Sequence, residues 1–378
     1  MNYQRVRGTF LLLILCVPCL ALGNKTIDVT RLPQGATKSI GLQTPARSEF
    51  SPALDEDTVA ISFALETAGS VALDIMSADG DRVRRLLDNK PYGVGVHQVL
   101  WDGKDDTGET VPDEAYTPFF EVTNDDVVYR DAPMQYSGGE VIPNIEWQRS
   151  SDTDLSYSLP DAARVLVRLG VTDGPMMREL KHWQPTSPGR VVERWNGFDA
   201  DEVEYFADRT DVWVVVMAYQ LPQYSIITTG NNSIDYRDYR TRRGWSRVEA
   251  ALAEIKLQRD GVRLERNYFV PRGYLPRVSL QFENTPEMSR VGIAQVQGTV
   301  RFRVDVPAED RWILDSSFYE TGLYIDYQFQ SEEEQGFVPM VWEYDSSDLE
   351  PGRHIATVQL FGFGGFITSS TVEFIVVP

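Results

Sequence analysis

Residues 61–105 align with residues 155–199 without a gap, at a constant offset of 94. The matched positions include Ser62/Ser156, Leu65/Leu159, Val71/Val165, Asp79-Gly80/Asp173-Gly174, Arg84/Arg178, Leu86/Leu180, Gly95/Gly189, Trp101/Trp195, Gly103/Gly197 and Asp105/Asp199. A repeat of 20–50 residues would build a solenoid, in which each unit leans on the next. A period this long is that of a duplicated domain, so the chain must hold at least two separate cores, each anchored by its own tryptophan.

The chain has 378 residues, which suits three domains of ordinary size, and its 42% hydrophobic residues are enough to fill their cores. A net charge of −20 would repel phosphate backbones, so nucleic acid is not expected as a partner. Residues 1–23 carry Arg5 and Arg7, an apolar run from Phe10 to Leu22 and a cleavage-like Ala21-Leu22-Gly23, which together predict a secretory signal. The alternatives are weaker. A spanning anchor needs about 20 apolar residues and would not interrupt them with Pro18. A lipoprotein needs a small residue before its cysteine, where Leu15 and Pro18 stand. Cleavage after Gly23 removes Cys16 and Cys19, leaving a mature chain with no thiol, held by its hydrophobic cores alone. No later stretch is long and apolar enough to span a bilayer.

Residues 24–57 are polar and aperiodic, with Pro33, Pro45 and Pro52, and are expected to form an extended leader. Alternation at Ile61–Leu65 and Val71–Ile75 predicts half-buried strands, with a tight turn at Asp79-Gly80. Strands at Arg82–Leu87, Val96–Trp101 and Tyr116–Val122 complete the first copy. The second copy repeats that order, and its last strand, Val212–Tyr219, is apolar on both faces, so it is expected to be covered on both sides and to pack against a neighbouring domain or partner. Within 237–277 eleven basic side chains face five acidic ones in an otherwise acidic chain. Here Trp245–Leu257 fits a short helix, and Ile255–Leu264 fits a hairpin about Asp260-Gly261 equally well. Strict alternation at Val300–Val306, Leu323–Phe329 and Val372–Val376 predicts a third β domain.

The order of an alternating strand, Asp-Gly, Val83-Arg84-Arg85-Leu86, Gly95-Val96-His97, Trp101-Asp102-Gly103-Lys104-Asp105, Gly108, Val111-Pro112 and Tyr116 resembles the Ig-like domain of the FlgD family. The second copy keeps Arg178, Leu180, Gly189, Trp195, Gly197 and Asp199, but has Asn196 for the Asp and lacks the Gly-x-x-Val-Pro turn. The resemblance covers roughly 58–123 and 152–220; it implies an Ig-like sandwich and little about function. Hook-capping members of that family leave the cell without a cleaved signal, so only the module carries over. The third domain is similar to generic bacterial Ig-like modules through Trp342-Glu-Tyr-Asp345 and Leu349-Glu-Pro-Gly352-Arg-His354.

The run from Asp102 to Glu109 brings four carboxylates into one loop, chemistry that calcium could use, but its spacing is not that of an EF-hand and the second copy has no matching glycine. A solvated turn is the simpler reading. His97, His182 and His354 fall in different modules, which does not suggest a zinc site or a triad, and the acid run Glu332-Glu333-Glu334 reads as a solvated loop. Trp183 and Trp245, beside charged or loop-like sequence, are the first candidates for sugar-stacking platforms. The basic segment is the best candidate for a functional surface: its arginines either pair with the acidic faces of flanking domains or meet an external acidic partner.

The expected fold class is all-β, with three immunoglobulin-like β-sandwich domains in tandem. The divisions are a signal at 1–23, a leader at 24–57, FlgD-like domains at 58–124 and 152–229, a basic linker at 230–273 and a C-terminal Ig-like domain at 274–378. The expected function is that of an exported, non-enzymatic, periplasmic or extracellular protein acting as a structural or interaction component of the cell envelope or surface. Its partner would be an envelope or surface protein; a glycan is the alternative, with the protein serving as an accessory of a polysaccharide-processing system. No catalytic, cofactor-binding or metal residue is assigned.

Overall fold

A computed structural model describes residues 41–54, 57–78, 80–125, 127–245, 275–284, 286–315, 318–362 and 365–378, with the backbone of 26–28, 256–259 and 262–263. The expected signal at 1–23, and about half of the leader and of the basic linker, lie outside the described residues. Three Ig-like β-sandwiches follow one another, each with its own core.

In the first sandwich, Gly41–Leu42, Val59–Leu65 and Gly95–Trp101 form one sheet in that order. The facing sheet runs Glu49–Phe50, Ile226–Thr228, Ala115–Asn124, Gly69–Met76 and Arg82–Tyr92, with Val127–Asp131 also on Ala115–Asn124. Alternation does its expected work: Val59, Ile61, Phe63 and Leu65 are buried while the residues between them are half-buried. Trp101 is fully buried, edge-on to Phe50 (5.5 Å) and Tyr116 (5.4 Å), and its indole N–H donates to the Lys104 carbonyl at 2.9 Å.

Two expected boundaries move. Within the leader, Leu42 and Phe50 belong to the first core, since that core is large enough to recruit apolar side chains from outside the repeat. Ile226–Thr228, placed by the sequence in the second domain, instead completes the sheet of the first. It pairs parallel with Glu49–Phe50 and antiparallel with Tyr116 and Ala115, and the helix Tyr236–Arg242 that follows puts Tyr239 into the same core. The chain thus enters the second sandwich and comes back.

The second sandwich sets Trp147–Arg149, Asp154–Leu159 and Gly189–Arg194 against Met176–Thr186, Ala163–Val171 and Val212–Gln220. Trp195 packs half-buried on this core, edge-on to Phe206 at 4.9 Å. The strand buried along its whole length is Ala163–Val171, and not its neighbour Val212–Gln220. The outer face of Val212–Gln220 is covered chiefly from within its own sandwich: Trp213 lies over Gly170, and Met217 and Tyr219 pack with Leu166 and Trp183. Alternation could not mark Ala163–Val171 because its outward residues include Arg164 and Arg168, each buried in an ion pair: Arg164 with Glu114 at 2.8 Å, Arg168 with Glu179 at 2.6 Å.

The third sandwich sets Ser279–Phe282, Thr299–Asp305 and Met340–Asp345 against a six-stranded sheet. Its order is Glu287–Met288, Ala294–Val296, Ile367–Val376, Gly352–Gly362, Tyr319–Ile325 and Gln328–Glu333. The alternation of Leu323–Phe329 conceals a hairpin: Asp326 and Tyr327 both take positive φ (46° and 66°) and turn the chain back so that Ile325 pairs with Gln328. Glu332 and Glu333 therefore lie in an edge strand. In the basic segment, Lys256–Arg259 pairs antiparallel with Val262–Arg263, as in the hairpin alternative, while residues 246–255 of the helix alternative lie outside the described residues. Among the described residues, no helix is long and apolar enough to cross a membrane.

Candidate functional site

The duplicated residues do the same work in both copies. Arg84 donates to the carbonyl of Asp105, and Arg178 to that of Asp199, each at 2.5 Å. Asp106 N–H bonds to Val83 O (3.0 Å) and Ala200 N–H to Met177 O (2.9 Å), so each loop is sewn to the same strand position. The carboxylate of Asp105 accepts the N–H groups of Thr107 (2.9 Å) and Glu109 (3.1 Å); that of Asp199 accepts those of Val203 (2.7 Å) and Glu204 (3.1 Å). The second loop does without the glycine because Glu202 (φ 60°) takes the left-handed place of Gly108 (φ 86°) at the same offset, and one extra residue follows it before Glu204.

A later part of the chain docks on each loop with a tyrosine and an arginine. On the first, Tyr239 donates its hydroxyl to Asp105 at 2.8 Å, Arg243 pairs with both Asp105 and Glu109, and Arg242 reaches Glu109 at 2.8 Å. Arg240, in the same helix, pairs with Asp81 at 3.1 Å. On the second, Tyr327 donates to Glu204 at 2.7 Å while Arg353 reaches the same carboxylate at 2.7 Å and the Val203 carbonyl at 3.1 Å. Thr371 N–H donates to Asp201 at 2.6 Å, Met176 N–H to Gln359 at 3.0 Å, and the Arg209 guanidinium sits 4.3 Å over the Tyr327 ring. The left-handed Tyr327 is thus held by its hydroxyl at Glu204 and by Arg209 over its ring.

The two copies use the Asp-Gly turn differently. Gly80 holds a φ of 87°, while in the second copy Asp173 takes the positive φ (60°) and Gly174 lies against the third sandwich: a Cβ there would stand 2.9 Å from the Tyr327 carbonyl oxygen. Close approach, not turn geometry, is why the second glycine is needed.

Electrostatics separates the paired aspartates. Burial pushes the Asp105 carboxyl up, but hydrogen bonds from Thr107, Tyr239 and Glu109 outweigh it and hold the pKa below the ordinary 3.8. At Asp199 burial wins over the N–H bonds of Glu204 and Val203 and raises the pKa.

Several expected candidates are placed otherwise. Trp183 is buried and stacked on Tyr219 at 4.8 Å, and Trp245 is half-buried against Tyr239 and the first core, so neither offers an open ring face for a sugar. Of the arginines in the basic segment, Arg242 and Arg243 pair with the acidic loop of the first sandwich, Arg240 with Asp81 in the turn beside it, and Arg277 with Glu309 and Asp310 of the third sandwich. His97 bonds to the Gly93 carbonyl (2.8 Å), His182 to Glu179 (2.8 Å) and His354 to Asp326 (2.6 Å), in three separate places. Among the described residues, no cluster of three or more His, Cys, Asp or Glu is disposed to hold a metal. What sequence reasoning missed is Tyr327, Arg353 and the Glu114–Arg164 pair, which carry no local pattern.

No family model matches the chain, and no curated protein matches it. Among solved structures it is similar to FlgD from P. aeruginosa, 26% identical, over 20% of this chain and 60% of that one, with a TM-score of 0.19. It is also similar to a tetra-tandem repeat from the extending region of a large adhesion protein, 10% identical over 90% of this chain and 74% of that one, TM-score 0.19. A third is the E. coli chaperone DraB, 15% identical over 46% of this chain and 89% of that one, TM-score 0.21. The chain spans less than two thirds of the FlgD protein's length. The sandwich architecture rests on the strand pairing itself.

Proposed function

We infer that this chain is an exported, non-enzymatic Ig-like protein of the FlgD-like kind, acting as a structural or protein-interaction component of the cell envelope or surface. One observation carries the reading: the polar groups of the duplicated loops are spent on structural contacts, the first loop holding the helix that returns to its own core and the second joining the next module. Asp105 and Glu109 are engaged by Tyr239 and Arg243, and Asp201 and Glu204 by Thr371, Tyr327 and Arg353. Such contacts suit a mounted row of rigid modules whose outer sheet faces and edges are left for partners. Export rests on the charged, apolar and small-residue order of residues 1–23.

Purification from the native envelope, with sequencing of the mature N-terminus, tests this. The expected result is a chain beginning after Gly23 that co-elutes stoichiometrically with an envelope or surface protein. An intact N-terminus in the cytoplasm would contradict export, and retention on polysaccharide gels without a protein partner would favour the glycan reading.

A further inference from the structure

The duplication supplies an internal control for one surface. Among the described residues, the last strand of the three-stranded sheet in both copies is an edge with a partner on one side only: Gly95–Trp101 pairs with Val59–Leu65, and Gly189–Arg194 with Asp154–Leu159. An edge strand offers unpaired N–H and C=O groups, and proteins commonly guard it with charge. The second copy does so. Its outward positions are Arg190, Val192 and Arg194, opposite Ser158, Ser156 and Asp154. The equivalent positions of the first copy are Val96, Gln98 and Leu100, opposite Ala64, Ser62 and Ala60. Val96 is 70% exposed and Leu100 64%, and they stand proud of a floor of small residues.

The unguarded strand is also self-complementary. Turned antiparallel about Gln98, two copies of it set Val96 opposite Leu100 twice and Gln98 opposite Gln98, with no like charges brought together. The same dyad in the sister strand, centred on Val192, would set Arg190 against Arg194 twice. Charge thus permits self-pairing at the first copy and opposes it at the second. We propose that Gly95–Trp101 is the self-association edge of this protein, joining two chains antiparallel about Gln98 so that two three-stranded sheets become one of six. His97 points inward, bonded to the Gly93 carbonyl and packed on Phe63 and Tyr92, and leaves the edge clear. The net charge of −20 opposes approach at long range, but salt screens it beyond roughly 8–10 Å. This inference goes beyond the scaffold reading, since it would hold for the chain in any compartment.

Sedimentation equilibrium of the full chain, from micromolar to hundreds of micromolar, tests it. The mass should rise from one chain to two, and Val96→Arg with Leu100→Arg, which copies the guarded sister strand, should hold it at one chain with an unchanged melting temperature. With Cys16→Ser and Cys19→Ser, Gln98→Cys should form a disulfide dimer on oxidation, because residues directly opposite in antiparallel strands have Cα atoms about 4.5–5.5 Å apart, within disulfide reach. Val192→Cys should not. A chain that stays monomeric throughout, a doubly substituted chain that still dimerises, or equal cross-linking at positions 98 and 192 would overturn the proposal.

Discussion

Glu204 accepts the hydroxyl of Tyr327 at 2.7 Å across the junction of the second and third sandwiches. In the first copy a tyrosine hydroxyl also meets the loop, but it is that of Tyr239 on Asp105, another carboxylate of the loop, and a helix replaces the sandwich as the docking element. A loop that was duplicated along with its domain has therefore been used twice to hold whatever packs next to it. Hydrogen bonds to ionised groups contribute about 1.5–3 kcal/mol, so each contact is strong enough to bias orientation.

Asp105 and Asp199 should titrate on opposite sides of 3.8. For Asp105 the folded pKa is the lower one, so its stabilisation is complete above pH 3.8 and is lost as the pH falls through the depressed value. For Asp199 the folded pKa is the higher, so acid relieves a cost that neutral pH imposes. Carboxylate NMR titration of the two residues checks this; a reversed order contradicts it.

Glu114→Ala should destabilise the protein by about 3–5 kcal/mol, because it strands the Arg164 guanidinium in a site where both side chains are 1% exposed. The double change with Arg164→Met should recover most of that loss. Urea midpoints of the native chain and the two variants decide, and equal losses in the single and double variants would show that the pair is not coupled.

His354 should make the third sandwich less stable on the alkaline side. Partial burial lowers its pKa, but the Asp326 carboxylate and the Glu350 carbonyl outweigh this and raise it above 6.5. The folded imidazole holds its proton more tightly than the unfolded one, so the contribution is complete below pH 6.5 and disappears as the pH climbs past the raised value. Melting curves across this range should slope downward in the native chain and flatten in His354→Gln; parallel curves would contradict the assignment.

Val214→Asp should unfold the second sandwich or come close to it, since Val214 faces its core and a buried carboxylate there has no partner. Val96→Arg, on an exposed face, should change the melting temperature little. Calorimetry of the two variants gives the comparison.

Much of this architecture was legible because duplication leaves its mark on local chemistry. Arg84/Arg178, Gly103/Gly197 and Asp105/Asp199 recur in the sequence for the same reason they recur in space: each holds the loop's own backbone. What stayed hidden is non-local. Nothing near Ile226 says that it returns to the first sheet, the alternation around Tyr327 continues through a turn as if it were a strand, and the outward arginines of Ala163–Val171 read as an exposed face although Glu114 and Glu179 let them be buried. Trp183 looked exposed from its charged neighbours, yet its left-handed backbone (φ 50°) turns the ring down onto Tyr219.

The central claim is that the duplicated loop clamps its neighbour through a tyrosine and an arginine. Its most direct test is the distance distribution between spin labels at Arg190→Cys and Val291→Cys, in the cysteine-free chain, with and without Tyr327→Phe and Arg353→Gln. A single narrow distribution that broadens when the clamp is removed is predicted. A distribution already broad in the native clamp, or one unchanged by its loss, would contradict the account.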